Sequence, residues 1–289
     1  MCAFQHTGEF CKFLSTCLMK NLSASIVAYQ NDASMIAKAI HSFLGSATDS
    51  RLFLIDNSPT DQLKYLAYDP RITYFFNNRN LGFGAGHNIA IAQILNESRY
   101  HLVLNPDVYF EKDTIPKLYD YMEEHDDVGL VMPKVLYPDG RLQHLCKLLP
   151  SPQTLILRRF FPFLKELVRK QNYLYELQFS SYNSVMDVPF LSGCFMFLKT
   201  EALKQAGLFD ERFFLYTEDT DLTRRIHKKF RTVFYPDATI FHHHARGSYK
   251  DSLLLYRNIV SAIRYFNKWG WFYDTERSMI NRKILLGNT

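Results

Sequence analysis

Residues 217–221 read Thr-Glu-Asp-Thr-Asp, three carboxylates within five positions, inside "GLFDERFFLYTEDTDLTRRIHKKF" (207–230). Thr217 is placed to cap a helix whose first turn holds Glu218, Asp219 and Asp221, with Leu222 and Ile226 on its buried stripe. Acids in a first turn are stabilised by the helix dipole and need no catalytic role. Three of them after the apolar "RFFLY" are more than a cap needs, and a carboxylate so placed suits a general base with a tuned pKa.

Three further stretches carry chemistry. In "TIFHHHARGSYK" (239–250) a strand would put His242 and His244 on one face and His243 on the other, and imidazole beside carboxylate suits a divalent ion such as Mn2+. A run of histidines also serves as a polar strand end. "NLGFGAGHN" (80–88) spaces Gly82, Gly84 and Gly86 before a helix expected to begin near His87. It departs from the dinucleotide fingerprint because His87 replaces the third glycine, yet it suits close approach of a phosphate to a helix start. "HLVLNPDVYF" (101–110) is an apolar strand stopped by Asn105-Pro106-Asp107. Proline and two turn formers explain a turn, and leave open whether Asp107 also holds something.

The elements that position these residues alternate. "SASIVAY" (23–29), "RLFLID" (51–56), "ITYFF" (72–76) and "HLVL" (101–104) are short apolar runs, separated by helical patterns over 32–46 and 87–98. Uniformly apolar strands alternating with helices predict an α/β fold, a Rossmann-like, mostly parallel sheet flanked by helices. Ligands then bind beyond the carboxyl ends of the strands. Those ends supply Tyr29 to Asp32, Asp56-Asn57-Ser58, Asn77 to Gly86 and Asn105 to Asp107. Beyond them come a helix over 114–125, a strand over 128–137, and "DVPFLSGCFMFLKTEALKQAG" (187–207), a strand with a Ser-Gly break followed by a short helix.

The 289 residues carry a formal charge of +5, with 18 Tyr and 24 Phe. The charge favours anionic partners only weakly, and the basic residues lie beside aliphatic stretches, which argues against nucleic acid. Five cysteines without a CxxC pair point to a reducing, cytoplasmic setting. "MCAFQHTGEFCKFLSTCLMKN" fits a signal peptide poorly, and no apolar window is long enough to span a membrane. "LILRRFFPFLKELVRK" (155–170) and residues 253–285 combine basic and aromatic side chains as interfacial helices do, so peripheral contact with the inner face of the plasma membrane is expected.

The order "SIVAYQN", "LIDNS", "NNRNLGFGAGHN", "LVLNPDV", "VPFLSGCFMFLKTEALKQAGLFDERFFLYTEDTDLTRRI" and a His-rich segment before "RGS" resembles the inverting glycosyltransferases of family 2, with the GT-A fold, and among them the bacterial rhamnosyltransferase-like branch. The resemblance spans roughly residues 22–250. It implies that Asp107 takes the place of the family's metal-binding acidic motif, Asn105 standing where a first Asp is often found, and that His242 or His244 is the later ligand to Mn2+ or Mg2+. It implies that Asp56 contacts the donor's base, with Ala28 and Tyr29 lining that pocket. Asn57, Asn80, Gly82, Gly84, Asn88 and Asn105 complete the expected donor side. Asp219, beside Glu218, matches the base that deprotonates the acceptor hydroxyl.

The expected organisation is an extension over 1–20, a GT-A domain over 21–250 and an amphipathic helical segment over 251–289. The expected partners are a nucleotide-sugar donor and a saccharide or lipid-linked saccharide acceptor, with homo-oligomerisation left open. A nucleotide-sugar-forming nucleotidyltransferase is the nearest rival, but it usually has a glycine-rich loop after the first strand and "VAYQNDAS" has no glycine. A noncatalytic carbohydrate- or membrane-binding relative would be expected to have lost the Glu218-Asp219 pair.

Overall fold

A computed structural model describes residues 22–161, 163–243 and 251–287. The proposed extension over 1–20, His244 and the "RGS" segment lie outside the described residues.

Four strands, β1 (Leu22–Ala28), β2 (Ser50–Asp56), β3 (Ile72–Phe76) and β4 (Tyr100–Leu104), pair in parallel in the order β3-β2-β1-β4. β1 is buried on both faces, which accounts for its continuous apolar reading. The rest of the sheet is mixed. β5 (Val108–Phe110), β6 (Val128–Leu136), β10 (Phe195–Lys199) and β11 (Arg231–His242) extend it in the order β4-β10-β6-β11-β5, β10 running antiparallel to both neighbours. The expected parallel order is therefore confined largely to the first half. β10 enters from the rim where β4 ends, Phe195 pairing with Leu104, so it must run the opposite way. β8 (Met186–Asp187) pairs with β11, and β7 (Cys146–Lys147) pairs with β9 (Phe190–Leu191) in a separate ribbon.

Nine α-helices surround the sheets among the described residues. α1 (Ala33–Ser46) starts at Asp32, whose carboxylate accepts from the Ser34 amide, and buries Ile36, Ala39, Ile40 and Phe43. α2 (Phe83–Ile94) begins four residues earlier than the expected His87. Its middle glycines are packing residues: a Cβ at Gly84 would stand 2.8 Å from Cβ of Phe209, and one at Gly86 would stand 2.8 Å from Cγ2 of Val27. His87 is wholly buried, joined to β1 and β4 through Ser25, whose hydroxyl meets His87 Nδ1 at 2.7 Å and His101 Nε2 at 2.8 Å. Burial pushes both imidazoles below their ordinary range. The side chain that displaced the third glycine thus belongs to the core.

α3 (Thr114–Glu124), α4 (Pro152–Phe160), α5 (Lys165–Tyr175), α6 (Thr200–Ala206) and α7 (Glu218–His227) follow, then α8 (Ser252–Trp269) and α9 (Thr275–Gly287). The C-terminal pair clamps α7. Arg224, 1% exposed, bonds both oxygens of Asp274 at 2.8 Å and lies over the Trp269 ring. No helix among the described residues is long and apolar enough to cross a membrane.

Candidate active site

The polar ends of β1, β2 and β3 converge through backbone hydrogen bonds. The Asn57 amide donates to the Ala28 carbonyl at 2.8 Å, and the Asn77 amide to that of Asp56 at 2.9 Å. Asp56 is fully buried, with Oδ1 accepting from the Ser58 amide at 2.9 Å and Oδ2 from the Tyr74 hydroxyl at 2.7 Å. A ligand reaching Asp56 would have to share these oxygens. Tyr29, 45% exposed, presents an open aromatic face at the end of β1.

The glycine-bearing loop is tied down at both ends. Asn80 Oδ1 accepts from the Gly82 amide at 3.0 Å, and Asn57 Nδ2 donates to the Gly82 carbonyl at 3.2 Å. Gly82 has φ +91°, and a Cβ there would stand 2.3 Å from the Phe214 carbonyl oxygen, so both conformation and space demand glycine. The Phe83 amide donates to the same Phe214 carbonyl at 3.0 Å, which joins this loop to the approach of α7. Two expected donor residues are occupied otherwise. Gly84 lies inside α2 against Phe209, and Asn88 is saturated by the 209–211 loop, donating to the Phe209 carbonyl and Glu211 and accepting from the Phe209 amide. The early start of α2 puts Gly84 in its first turn, packed on Phe209, and Asn88 in its second turn, facing the 209–211 loop.

Asp107 lies in the turn between β4 and β5, and β5 pairs with the end of β11, Val108 opposite His242. That register brings His242 Nε2 within 3.5 Å of Asp107 Oδ1. Two adjacent ligands of an octahedral ion with bonds near 2.1 Å sit roughly 3 Å apart, so this pair fits a shared divalent ion after a small adjustment. Gln143, which no sequence signal marked, orients the imidazole. Its Nε2 donates to the His242 carbonyl at 2.7 Å, so its Oε1, 3.0 Å from His242 Nδ1, must receive a proton from that nitrogen. With Nδ1–H committed to Gln143, Nε2 is the atom left to face Asp107; it carries a proton there in the absence of an ion and must lose it to serve as a ligand. Burial opposes charge on this ring, but Cys194 and Asp107 outweigh it and push the imidazole up to about 10. His243 contributes its amide to the Asp107 carbonyl at 3.2 Å, and its ring stands against Tyr109. No cluster of three or more His, Cys, Asp or Glu side chains forms a complete metal cage among the described residues.

The acids of α7 divide their work. Thr217 precedes the helix with φ 64°, and its hydroxyl donates to the Ser261 carbonyl in place of the expected cap bond. Asp221 is fully buried and spent on structure, held by Arg225, Lys268 and the Trp269 indole. Asp219 faces the rim, with Oδ2 accepting from the Gly193 amide at 2.9 Å and Oδ1 from the Thr220 amide at 2.7 Å. Burial raises its pKa, while the Gly193 amide and the nearby Lys147 charge pull the other way. Glu218 is 4% exposed, its Oε2 meets no donor among the described residues, and burial followed by the charge of Asp219 drives its carboxyl well above the usual range.

These parts share one rim. The Asn105 amide donates to the Cys194 carbonyl at 2.9 Å, and the neighbouring Gly193 amide binds Asp219. The Asp107 turn and the start of α7 are thus two hydrogen bonds apart through the Ser-Gly break between β9 and β10. The model of glycosyl transferase family 2 matches residues 23–207. The chain belongs to this family. Its sheet and helices have the GT-A fold: the mannosyltransferase of Pyrobaculum calidifontis, solved with GDP-Man and Mn2+, superposes with a TM-score of 0.56 at 15% identity over 86% of this chain and 66% of that one. Among sequences, the N-acetylglucosaminyl-diphospho-decaprenol L-rhamnosyltransferase of Mycobacterium tuberculosis is 29% identical over 69% of this chain and 68% of its own length. The low-salt glycan biosynthesis hexosyltransferase Agl10 of Haloferax volcanii is 24% identical over 76% and 67%. The family 2 match ends at residue 207, before α7 and the histidines. Glycosyl transfer is the activity that membership carries.

Proposed function

We propose that this family 2 enzyme transfers rhamnose from dTDP-rhamnose, with inversion, to a saccharide or lipid-linked saccharide during assembly of a bacterial surface polysaccharide such as O-antigen or capsule. The observation that carries the chemistry is Asp219, a half-buried carboxylate held toward the rim by the Gly193 amide. The similarity to a rhamnosyltransferase supports the sugar and the lipid-linked class of acceptor.

In this reading Tyr29 and the β2 end accept the base and Asp219 takes the proton from the acceptor hydroxyl as that oxygen attacks the anomeric carbon from the opposite face. Buried Glu218, held neutral, keeps a second negative charge away from the base and has a proton to donate within the pocket. Asp107 and His242 would hold Mn2+ or Mg2+, with Gln143 fixing the ring. A bound divalent ion supplies Lewis-acid stabilisation of the departing diphosphate. The Asp219 pKa, raised by burial, favours proton acceptance near neutral pH and costs activity as pH falls.

Membrane contact is part of the same proposal. The α4–α5 turn exposes Phe160, Phe161, Phe163, Leu164 and Leu167 beside Arg159, Lys165 and Lys170. Basic side chains around exposed aromatics suit an anionic bilayer surface.

Thermal-shift titration with dTDP, UDP and GDP, each with and without Mn2+, tests the donor side, followed by turnover of dTDP-rhamnose. The reading expects metal-assisted stabilisation by a nucleoside diphosphate, lost in Asp107→Asn together with at least about tenfold in activity, the low end of what even outer-shell changes cost at metal sites. Absence of stabilisation by every nucleotide would overturn it.

A further inference from the structure

Next to Asp219 lies a cationic pair with too few acceptors. Lys147 is on β7, paired with Phe190 of β9, the strand that leads into Gly193. Its ammonium stands 5.1 Å from the centre of the Phe190 ring and makes no hydrogen bond among the described residues. The charged groups around it are Arg158, Glu176 and Asp219. Arg158, on α4, lies over the Tyr175 ring, and the Tyr175 carbonyl accepts from the Leu148 amide at 2.9 Å, so α4 and β7 are held side by side.

The local carboxylates are already used. Glu176 gives Oε1 to Arg158 Nη2 at 2.5 Å and Oε2 to Gln178 at 2.9 Å. Both Asp219 oxygens accept backbone amides. Arg158 Nη1 is nevertheless buried with no acceptor among the described residues. A buried guanidinium donor left unmatched, beside an ammonium that meets no hydrogen-bond acceptor among the described residues, is costly to maintain in a folded protein. Burial and the neighbouring Arg158 charge also lower the Lys147 pKa, outweighing the pull of Glu176 and Asp219 the other way. Phosphoryl oxygens would satisfy both groups at once. α4 then runs outward to exposed Phe160, which offers an apolar surface to a hydrocarbon chain.

We propose that Lys147 and Arg158 form an anion subsite that receives the phosphate groups of a lipid-linked acceptor beside Asp219. The subsite rests on the glycosyltransferase reading and sharpens it, because it places the charged end of the acceptor on the α4–β7 side of the base, away from Asp107.

The test is calorimetric titration of the full chain, without divalent metal, using farnesyl diphosphate, inorganic diphosphate and farnesol as probes. Farnesyl diphosphate should bind more tightly than either other probe. Lys147→Gln and Arg158→Lys should each weaken it by at least about tenfold, as expected for loss of a charge-assisted hydrogen bond. Both variants should keep the wild-type affinity for dTDP with Mn2+, which also shows that they are folded. Unchanged affinity in Lys147→Gln overturns the subsite, as do displacement of farnesyl diphosphate by dTDP and equal binding of farnesol or inorganic diphosphate. A chain that binds farnesyl diphosphate but no nucleotide would strike the donor reading instead, so the two failures are distinct.

Discussion

Asp56 and Glu218 are both carboxylates buried at the rim, but their surroundings differ. Asp56, at the end of β2, has one oxygen filled by the Ser58 amide and the other by the Tyr74 hydroxyl. Glu218, at the start of α7, leaves Oε2 without a donor among the described residues and has the Asp219 charge beside it. Asp221, three positions later on the same helix, is again satisfied, by Arg225, Lys268 and Trp269. Burial is therefore a structural device where donors meet the carboxylate, and a means of shifting its proton affinity where they do not.

Three substitutions probe this difference, from the largest effect to the smallest. Asp219→Asn should lower turnover by roughly 10²- to 10⁴-fold, the usual contribution of a general base, while calorimetry shows nucleotide affinity unchanged. Wild-type turnover in this variant would remove Asp219 from the base role.

Asp221→Ala should destabilise the fold by about 3 kcal/mol in urea denaturation, because it takes the shared carboxylate from Arg225, Lys268 and the Trp269 indole, leaving Lys268 only Asp210 and Arg225 only backbone carbonyls. That figure is the low end for broken buried pairs, since Arg225 and Lys268 are 16% and 23% exposed and keep some water. A loss no larger than that of Glu218→Gln would erase the distinction between satisfied and unsatisfied acids.

Glu218→Gln should have the smallest effect, and one that depends on pH. A folded-state pKa raised above the unfolded value means that the native state binds more protons between the two values, so stability falls as pH rises through that window and then levels off. Removing the carboxyl should therefore raise the melting temperature relative to wild type at pH 8, with the gain shrinking toward pH 4. A difference independent of pH would mean that the native Glu218 is not held protonated.

The strands of the parallel half and the helices over 33–46 and 114–124 were legible because their apolar spacing alone determines which face is buried. The start of α2 was not. "GFGAG" reads as a flexible loop, and only contact with Val27 and Phe209 shows that Gly84 and Gly86 are small because helix, strand and loop pack closely there. Asp221 illustrates the same limit, since nothing in "TEDTD" separates it from its neighbours until α8 supplies Trp269 and Lys268. Lys147 and Gln143 carried no signal, because their partners are far away in sequence.

The sequence by itself determined an α/β sheet with polar strand ends, and it marked Asp107, the histidines and the Glu218-Asp219 pair as the side chains with chemistry to offer. Those properties follow from periodicity, turn formers and residue type, which are local. Tertiary structure decided the assignments. Pairing of β5 with β11 put His242 beside Asp107, Gln143 engaged the Nδ1 proton of that ring, and the Gly193 amide turned Asp219 toward the rim. Each depends on groups brought together from distant segments, and the donors they find there determine what a buried carboxylate or imidazole can do.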